Sequence, residues 1–166
     1  MPAHPDLPAF LHGLPAREGP RPRTGPAIPH QQLSQIAPIE LQEELWRRMT
    51  TLDDVVTGPS GISFPDTRAL HLRPTPTTLT PERFLIGTEF AHLHGPTDGS
   101  LHLTLPYDVV AEVVRQGWGE LHPIARAGQR PATLLMLFGP RNNDELEILW
   151  PLVQQSHTFA RSSRMG

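Results

Sequence analysis

The chain has 166 residues, of which 37% are hydrophobic, and its mixed acidic and basic residues leave a net charge of −3. This length fits one domain with a core of its own. The mixed charges give no indication of the basic patch that nucleic acid or anionic lipid requires, and no apolar run reaches the about 18 residues that span a bilayer. Since the N-terminus also lacks the pattern of a signal peptide, we expect a cytoplasmic protein with neither nucleic-acid nor membrane partners.

Two residue types are absent, and each absence excludes a group of chemistries. Without cysteine, the chain has no disulfide, thiolate nucleophile, iron–sulfur cluster or cysteine-bound zinc. All 14 basic residues are arginine, so Schiff-base catalysis and the lysine of a phosphate-binding loop are excluded as well.

The first part of the chain, residues 1–31, contains eight prolines and little hydrophobic periodicity. Proline fixes φ and removes a backbone donor, so we expect an extended arm that is either disordered or draped over the domain. The apolar stretch at 7–14 could dock as one helical turn. The sequence thus predicts a proline-rich arm over 1–31, one domain over 32–161 and a short tail over 162–166.

Hydrophobic periodicity, capping residues and turn formers predict three helices and five strands in the domain. In chain order these are a helix over 38–52, strands near 60–64, 68–73, 84–94 and 100–105, a helix starting at Pro106, a strand at 133–138 and a helix capped by Asn142 or Asn143. Pro151 should kink the last helix or mark a late break in it. We expect Trp46, Trp150 and Phe159 to be packing residues of the helices.

Hairpin-length links between the strands favour an α+β domain. The expected architecture is a mostly antiparallel sheet of about five strands with the helices packed on one face.

Three histidines fall within eleven positions, in alternation with core residues and on both sides of the turn GPTDG. Successive side chains of a strand point to opposite faces, so Phe90, His92 and His94 should share one face while the leucines point to the core. If the two segments form a hairpin, pairing His94 with Ser100 sets His92 opposite His102, with Cβ atoms about 4.5–5.5 Å apart.

His71 repeats the alternation on another segment, so up to four imidazoles should line the open face of the sheet. Three of them, His92, His94 and His102, could hold a divalent transition metal at about 2.0–2.1 Å and leave a position open. Water bound there can become a nucleophile near neutral pH. Zinc, iron and copper all suit imidazole, so the residue types do not select the metal.

Other residues are candidates for support or for ligand binding. Asp98, Glu89 and His122 could surround the metal ligands, although alternation points Glu89 to the leucine face unless a bulge turns it. We count His71, Trp118 and His122 as candidate ligand-binding residues. For Trp118 the alternative is a packed tryptophan that follows the end of a helix.

The histidine pattern also has simpler interpretations. A sheet with one solvated face alternates polar and core residues without any site, and a histidine cluster can act as a pH sensor. The stretch at 57–63 lacks the lysine and helix of a phosphate-binding loop, and Ser60 lacks the sequence context of a hydrolase nucleophile.

Several segments together resemble the "luciferase domain" family of small bacterial and fungal proteins. They are RPRTGPAIPHQQL, LQEELWRRMTTLDDVVTGPSGIS, TRALHL, GTEFAHLHGPTDGSLHLTLP, GWGELHP and NDELEILWPLVQQSHTFAR. The resemblance runs from about residue 20 to 161, with Pro151 and the Thr/Pro-rich loop at 74–81 as departures, and we expect a bacterial source.

The resemblance implies that the segments of His92, His94, His102 and His122 form a shared centre. The sequence carries no adenylation motif, flavin fingerprint or coelenterazine-hydrolase triad, so we do not infer light emission. The element order also resembles frataxin-like and double-wing folds, an analogy that says nothing about function.

The leading hypothesis is a protein that binds a small ligand, together with a divalent metal, on the histidine face. Whether the protein is an enzyme stays open; if it catalyses a reaction, metal-assisted hydrolysis or oxidation is the expected class. The alternative is a non-enzymatic interaction module that uses the sheet face or the arm, with Trp118 as an anchor. A homo-oligomer is compatible with both.

Overall fold

The structure is a computed structural model, and it describes residues 13–164. The strands are β1 (Val55–Pro59), β2 (Arg68–Leu72), β3 (Glu89–Leu93), β4 (Leu101–Thr104), β5 (Gly119–Leu121) and β6 (Leu134–Leu137). The helices are α1 (Ile39–Met49), α2 (Tyr107–Arg115), α3 (Pro123–Arg126) and α4 (Asn143–Arg161). The strands form one open antiparallel sheet in the order β1-β2-β3-β4-β6-β5, so the predicted α+β class is confirmed.

The main core lies between one face of the sheet and the helices α1, α2 and α4. Leucines that alternate along β4 and β6 point into it, and none of them is exposed. Burying one leucine contributes about 1.5–3 kcal/mol, so a register slip that turned this row to the other face is strongly disfavoured. The short helix α3 packs instead in a smaller cluster with Leu85 and Leu134, on the opposite face. The expectation that all helices pack on one face of the sheet therefore does not hold for α3.

Three strands differ from the sequence prediction, and one of them, β3, covers residues 89–93 rather than 84–94. β1 covers residues 55–59 rather than 60–64, and it includes Gly58 and Pro59. A proline is tolerated there because β1 is an edge strand that pairs only with β2. β5 was not predicted, because three residues are too few to show a periodicity.

The last helix, α4, begins as predicted and is not interrupted at Pro151. Asn142 Oδ1 accepts a hydrogen bond from Glu145 N at 2.9 Å, which confirms its capping role. The helix then runs through Pro151 to Arg161 without a break, so the break that was one alternative for Pro151 does not occur. Trp150 and Trp46 pack against the core. Phe159 is half-buried rather than in the core. The Arg83 guanidinium lies over its ring, 4.7 Å from the ring centre.

The end of α2 fixes the position of Trp118. Gly117 has a φ of +84°, and the N–H groups of Gly117 and Trp118 donate to the carbonyls of Val114 and Val113. This is a Schellman motif, for which glycine is the favoured residue. It directs Trp118 into the core, where it is 3% exposed and donates from Nε1 to Pro15 O at 2.7 Å.

A β-bulge interrupts the alternation of β3. Leu70 pairs with Ala91 but His71 pairs with Glu89, so Phe90 is an extra residue on β3. Phe90 consequently lies in the core with no exposed surface, and Glu89 is turned to the histidine face. The expectation that Phe90 shares a face with His92 is therefore wrong.

The described part of the arm, from residue 13 onward, is draped over the domain, which is one of the two expected alternatives. A bridge between Thr24 and Gln32 folds it back on itself, and Arg17 N donates to Gln116 O at 2.8 Å. Most of the stretch at 7–14 lies outside the described residues, and so does the end of the tail after residue 164. Within residues 13–164, no helix combines the length and the hydropathy needed to cross a bilayer.

Candidate metal centre

Strands β3 and β4 bring three imidazoles together on the face opposite the main core. His92 pairs directly with His102, as the hairpin register predicted. His92 Nε2 lies 3.2 Å from His94 Nε2, and each of these atoms lies 3.1 Å from His102 Nδ1. All three rings are almost completely buried. The structure thus places the three predicted metal ligands around a single point.

A carboxylate orients the first ring. Glu89 Oε2 lies 2.7 Å from His92 Nδ1 and also accepts from Ser60 Oγ at 2.8 Å, while Glu89 Oε1 accepts from Gly61 N at 2.8 Å. Burial opposes ionisation of Glu89, yet the hydrogen bonds from His92 and Gly61 outweigh it and leave its pKa below the ordinary value. An ionised carboxylate only accepts, so His92 carries its proton on Nδ1 and a lone pair on Nε2.

A serine and a carboxylate orient the second ring in the same way. His94 Nδ1 lies 2.9 Å from Ser100 Oγ, whose own proton is donated to Asp98 Oδ1. Asp98 is buried, but its hydrogen bonds, above all with His94, lower its pKa. His94 therefore donates from Nδ1 and presents Nε2 to the centre of the cluster.

The third ring, His102, is held from the arm. His102 Nε2 lies 2.8 Å from His30 Nδ1, and His30 Nε2 lies 2.8 Å from Glu120 Oε1. Sequence reasoning missed both partners. His30 follows Pro29 in a segment without alternation, where only its place in a family-like segment marked it, and Glu120 lies on the unpredicted strand β5.

His122 also lies at this cluster, as a candidate ligand-binding residue should. Its ring is 4.8 Å from that of His102 and 5.1 Å from that of His30, and its Nδ1 accepts from Ile124 N at the start of α3. Among the described residues, two trios of imidazoles could each hold a metal ion: His92, His94 and His102, and His30, His102 and His122.

Burial keeps several of these rings neutral. Desolvation lowers the pKa of His92, lowers that of His102 well below its ordinary value and lowers that of His122 to about 4. The neutral imidazole is the form that binds a metal ion, because the ligating nitrogen must offer a lone pair.

Two predicted ligand-binding residues are not at the site. His71 lies on the histidine face, but its Nε2 donates to Pro59 O at 3.1 Å beside the edge strand, and it belongs to neither trio. Trp118 is the packed tryptophan of the alternative interpretation. The alternation of residues along the strands did not show two features described above: the bulge in β3 and the helix end that directs Trp118 into the core.

A cavity of about 570 Å³ opens over the cluster. Its floor includes His92, His94, His102 and His122, and much of its wall is aliphatic or aromatic. Four apolar residues at the cavity are strongly exposed: Ile28 at 67%, Ile62 at 50%, Phe64 at 45% and Ile86 at 44%. Such a volume fits a small organic molecule, and the mixture of apolar walls and convergent polar groups is typical of a ligand site.

Comparison with known proteins gives one family. Residues 87–156 match the family model described as "Luciferase domain". Proteins named luciferase from Armillaria mellea and Armillaria gallica are 29% and 30% identical to the chain over 177 residues, and one from Neonothopanus nambi is 30% identical over 178. These alignments cover 98% of this chain and 66% of each relative, so the chain spans just under two thirds of their length. The relatives are fungal and give no support to a bacterial source, and no solved structure matches significantly.

Proposed function

The chain belongs to the luciferase domain family, and we propose that its histidine centre binds one divalent transition metal and presents it to a small organic molecule in the cavity. The metal ligands are His92, His94 and His102. Metal-assisted oxidation or hydrolysis is the reaction class that an open metal position serves. The enzyme name of the relatives supports a small-molecule ligand over a protein partner.

The observation that carries the proposal is the triangle of three ring nitrogens with sides of 3.1–3.2 Å. An ion 2.0–2.1 Å from each nitrogen would stand about 1 Å out of their plane, with N–metal–N angles of about 100°. Those angles lie between the tetrahedral and the octahedral values. The remaining positions would face the cavity, which the same three rings line.

The tautomers support the same conclusion. His92 and His94 both donate from Nδ1 to their hydrogen-bond partners, so their Nε2 lone pairs face each other, with the two Nε2 atoms 3.2 Å apart. Two acceptors cannot form a hydrogen bond, and a cation between them turns the repulsion into coordination. Carboxylates that hold the outer nitrogen of a histidine are the usual support of such ligands.

Metal loading of the purified full chain without a histidine tag tests the proposal. The protein is incubated separately with Zn²⁺, Co²⁺, Cu²⁺ and, without oxygen, Fe²⁺, then dialysed and analysed for metal. We expect about one equivalent of at least one metal, and less than about 0.1 equivalent in His92→Ala and His94→Ala.

His71→Ala is the matched control, because it removes an imidazole from the same sheet face but not from the trio. It should bind as much metal as the unchanged protein. If the unchanged protein retains no more metal than His94→Ala, the proposal is wrong.

An interaction module is the second candidate, and the exposed apolar residues around the cavity favour it. If they form an interface between copies of the chain, molecular mass measured by light scattering should rise with concentration. Replacing Ile62 and Phe64 by serine should then abolish the rise. A constant monomer mass would leave the ligand cavity as the better account of these residues.

A further inference from the structure

Four side chains from three parts of the chain form a hydrogen-bonded relay that ends at the proposed metal centre. Arg21 Nη2 donates to Glu120 Oε2 at 2.7 Å, Glu120 Oε1 lies 2.8 Å from His30 Nε2, and His30 Nδ1 lies 2.8 Å from His102 Nε2. His30 comes from the arm, Glu120 from β5 and His102 from β4. The imidazole of His30 is fully buried.

The relay determines which nitrogen of His102 can bind a metal. To offer a lone pair at Nδ1, His102 must carry its proton on Nε2, and a buried N–H needs an acceptor. His30 Nδ1 is that acceptor if the proton of His30 is on Nε2, where Glu120 accepts it. Hydrogen bonds of Glu120, above all with His30, lower its pKa despite burial, so it is the ionised acceptor that the relay requires.

The arm supports a second ligand two residues further on. Gln32 N donates to Asp98 Oδ2 at 3.2 Å, and Asp98 holds Ser100, the partner of His94. Gln32 is 1% exposed and its Oε1 accepts from Gly139 N at 3.0 Å, so this part of the arm is anchored to the domain. Residues 30–32 therefore support two of the three proposed ligands.

We infer that His30 and Glu120 are positioning residues that hold His102 as an Nδ1 ligand, so that the proposed metal centre is complete only with the arm in place. The inference rests on the proposed function. Loss of such outer hydrogen-bond partners of metal ligands lowers metal affinity about 10–100-fold.

The other trio, with His30 as a ligand of a second ion, is the competing assignment. The geometry favours the relay, because 2.8 Å between His30 Nδ1 and His102 Nε2 is the distance of an N–H···N hydrogen bond and is shorter than the about 3.3 Å that separates two nitrogen ligands of a tetrahedral ion. Both nitrogens of His30 already have partners, and Nδ1 of His122 accepts from Ile124 N.

The test compares His30→Ala with His30→Asn. Asparagine places an acceptor oxygen at the δ position, so it can still receive the His102 proton, whereas alanine cannot. Competition with a chromophoric chelator gives the Zn²⁺ affinity and stoichiometry. Long-range ¹H–¹⁵N NMR of the metal-free full chain gives the tautomer of His102.

We expect one equivalent of Zn²⁺ in every variant, with affinity about 10–100-fold lower in His30→Ala and largely restored in His30→Asn. His102 should carry its proton on Nε2 in the unchanged protein and lose that preference in His30→Ala. Circular dichroism checks that both variants fold, and His71→Ala should match the unchanged protein.

Three results would overturn the inference: a second equivalent of metal that disappears in His30→Ala, an unchanged affinity in that variant, or a His102 proton on Nδ1. If the unchanged protein binds no metal at all, the proposed function fails. The tautomer measurement in the metal-free protein then still decides whether the relay exists.

Discussion

Glu89 has no exposed surface, and its two oxygens accept from His92 Nδ1, Ser60 Oγ and Gly61 N. Buried acceptors of this kind stabilise the folded chain and also define the tautomer of the ring they contact. A single side chain thus connects the stability of the sheet with the chemistry of the centre.

Glu89→Ala should weaken both properties. It leaves the buried Nδ1–H of His92 without its acceptor, at a cost of about 1–3 kcal/mol, and it frees His92 to change tautomer. We expect a lower urea midpoint for the metal-free protein and about 10–100-fold weaker metal binding. Glu147→Gln, which alters an exposed ion pair with Arg48, should change neither quantity, and equal behaviour of the two variants would contradict the role of Glu89.

The buried histidines predict how stability depends on pH. Burial lowers the folded-state pKa of His122 to about 4 and also lowers those of His92 and His102. Since the unfolded chain then binds protons more readily, with a histidine pKa of about 6.5, stability should fall as pH decreases from about 6.5 towards 4. Glu89 and Asp98, whose pKa values are also lowered, add a loss of the same sign at still lower pH.

Urea unfolding of the metal-free protein across this pH range measures the effect. His122→Asn keeps an acceptor for Ile124 N and removes the titrating ring, so its stability should depend less steeply on pH. An identical midpoint at neutral pH and at about pH 5 would contradict the assignment of lowered pKa values.

At the scale of elements, α4 offers a test of local structure. Asn142→Ala removes the acceptor of Glu145 N and should cost about 1 kcal/mol of unfolding free energy. Asn143→Ala, one position later and inside the helix, should have little effect or stabilise slightly. Chemical denaturation of the two variants distinguishes a capping role from a general preference for polar residues there.

Elements with a long periodic pattern could be predicted from the sequence, whereas the short ones could not. The alternation around His92 and His102 correctly gave their cross-strand pairing, because one face of the hairpin is leucine and the register has no alternative. β5 and α3 have three and four residues, too few for a period to appear.

The bulge at Phe90 shows why the candidate site was only partly predictable. An extra residue in a strand reverses the faces of the residues before it, and the sequence EFAHLH gives no sign of where the pairing shifts. Alternation therefore placed Phe90 wrongly and left Glu89 undecided. His30 was missed for a different reason, since it reaches His102 across 72 positions of the sequence.

For the molecule as a whole, metal binding should raise the free energy of unfolding. An ion that binds only the folded chain stabilises it by about 2.7 kcal/mol at a hundredfold excess over its Kd. Metal should raise the unfolding temperature of the unchanged protein and of His71→Ala. It should not raise the unfolding temperature of His94→Ala. An equal increase in His94→Ala would show that the ion binds elsewhere.

Hydrogen exchange should show that metal binding also stabilises the arm. Backbone amides around residues 24–38 should exchange more slowly once the metal is bound, because His30 and Gln32 contact the supports of two ligands. Protection confined to β3 and β4 would show that the arm and the centre are independent.

The contacts of residues 30–32 have a practical consequence for the preparation of truncated forms of this protein. A fragment limited to the family match at 87–156 would retain His92, His94 and His102 but lose the arm residues that support two of them. Substitutions in the arm would then change the metal affinity of the proposed centre without any change in β3 or β4.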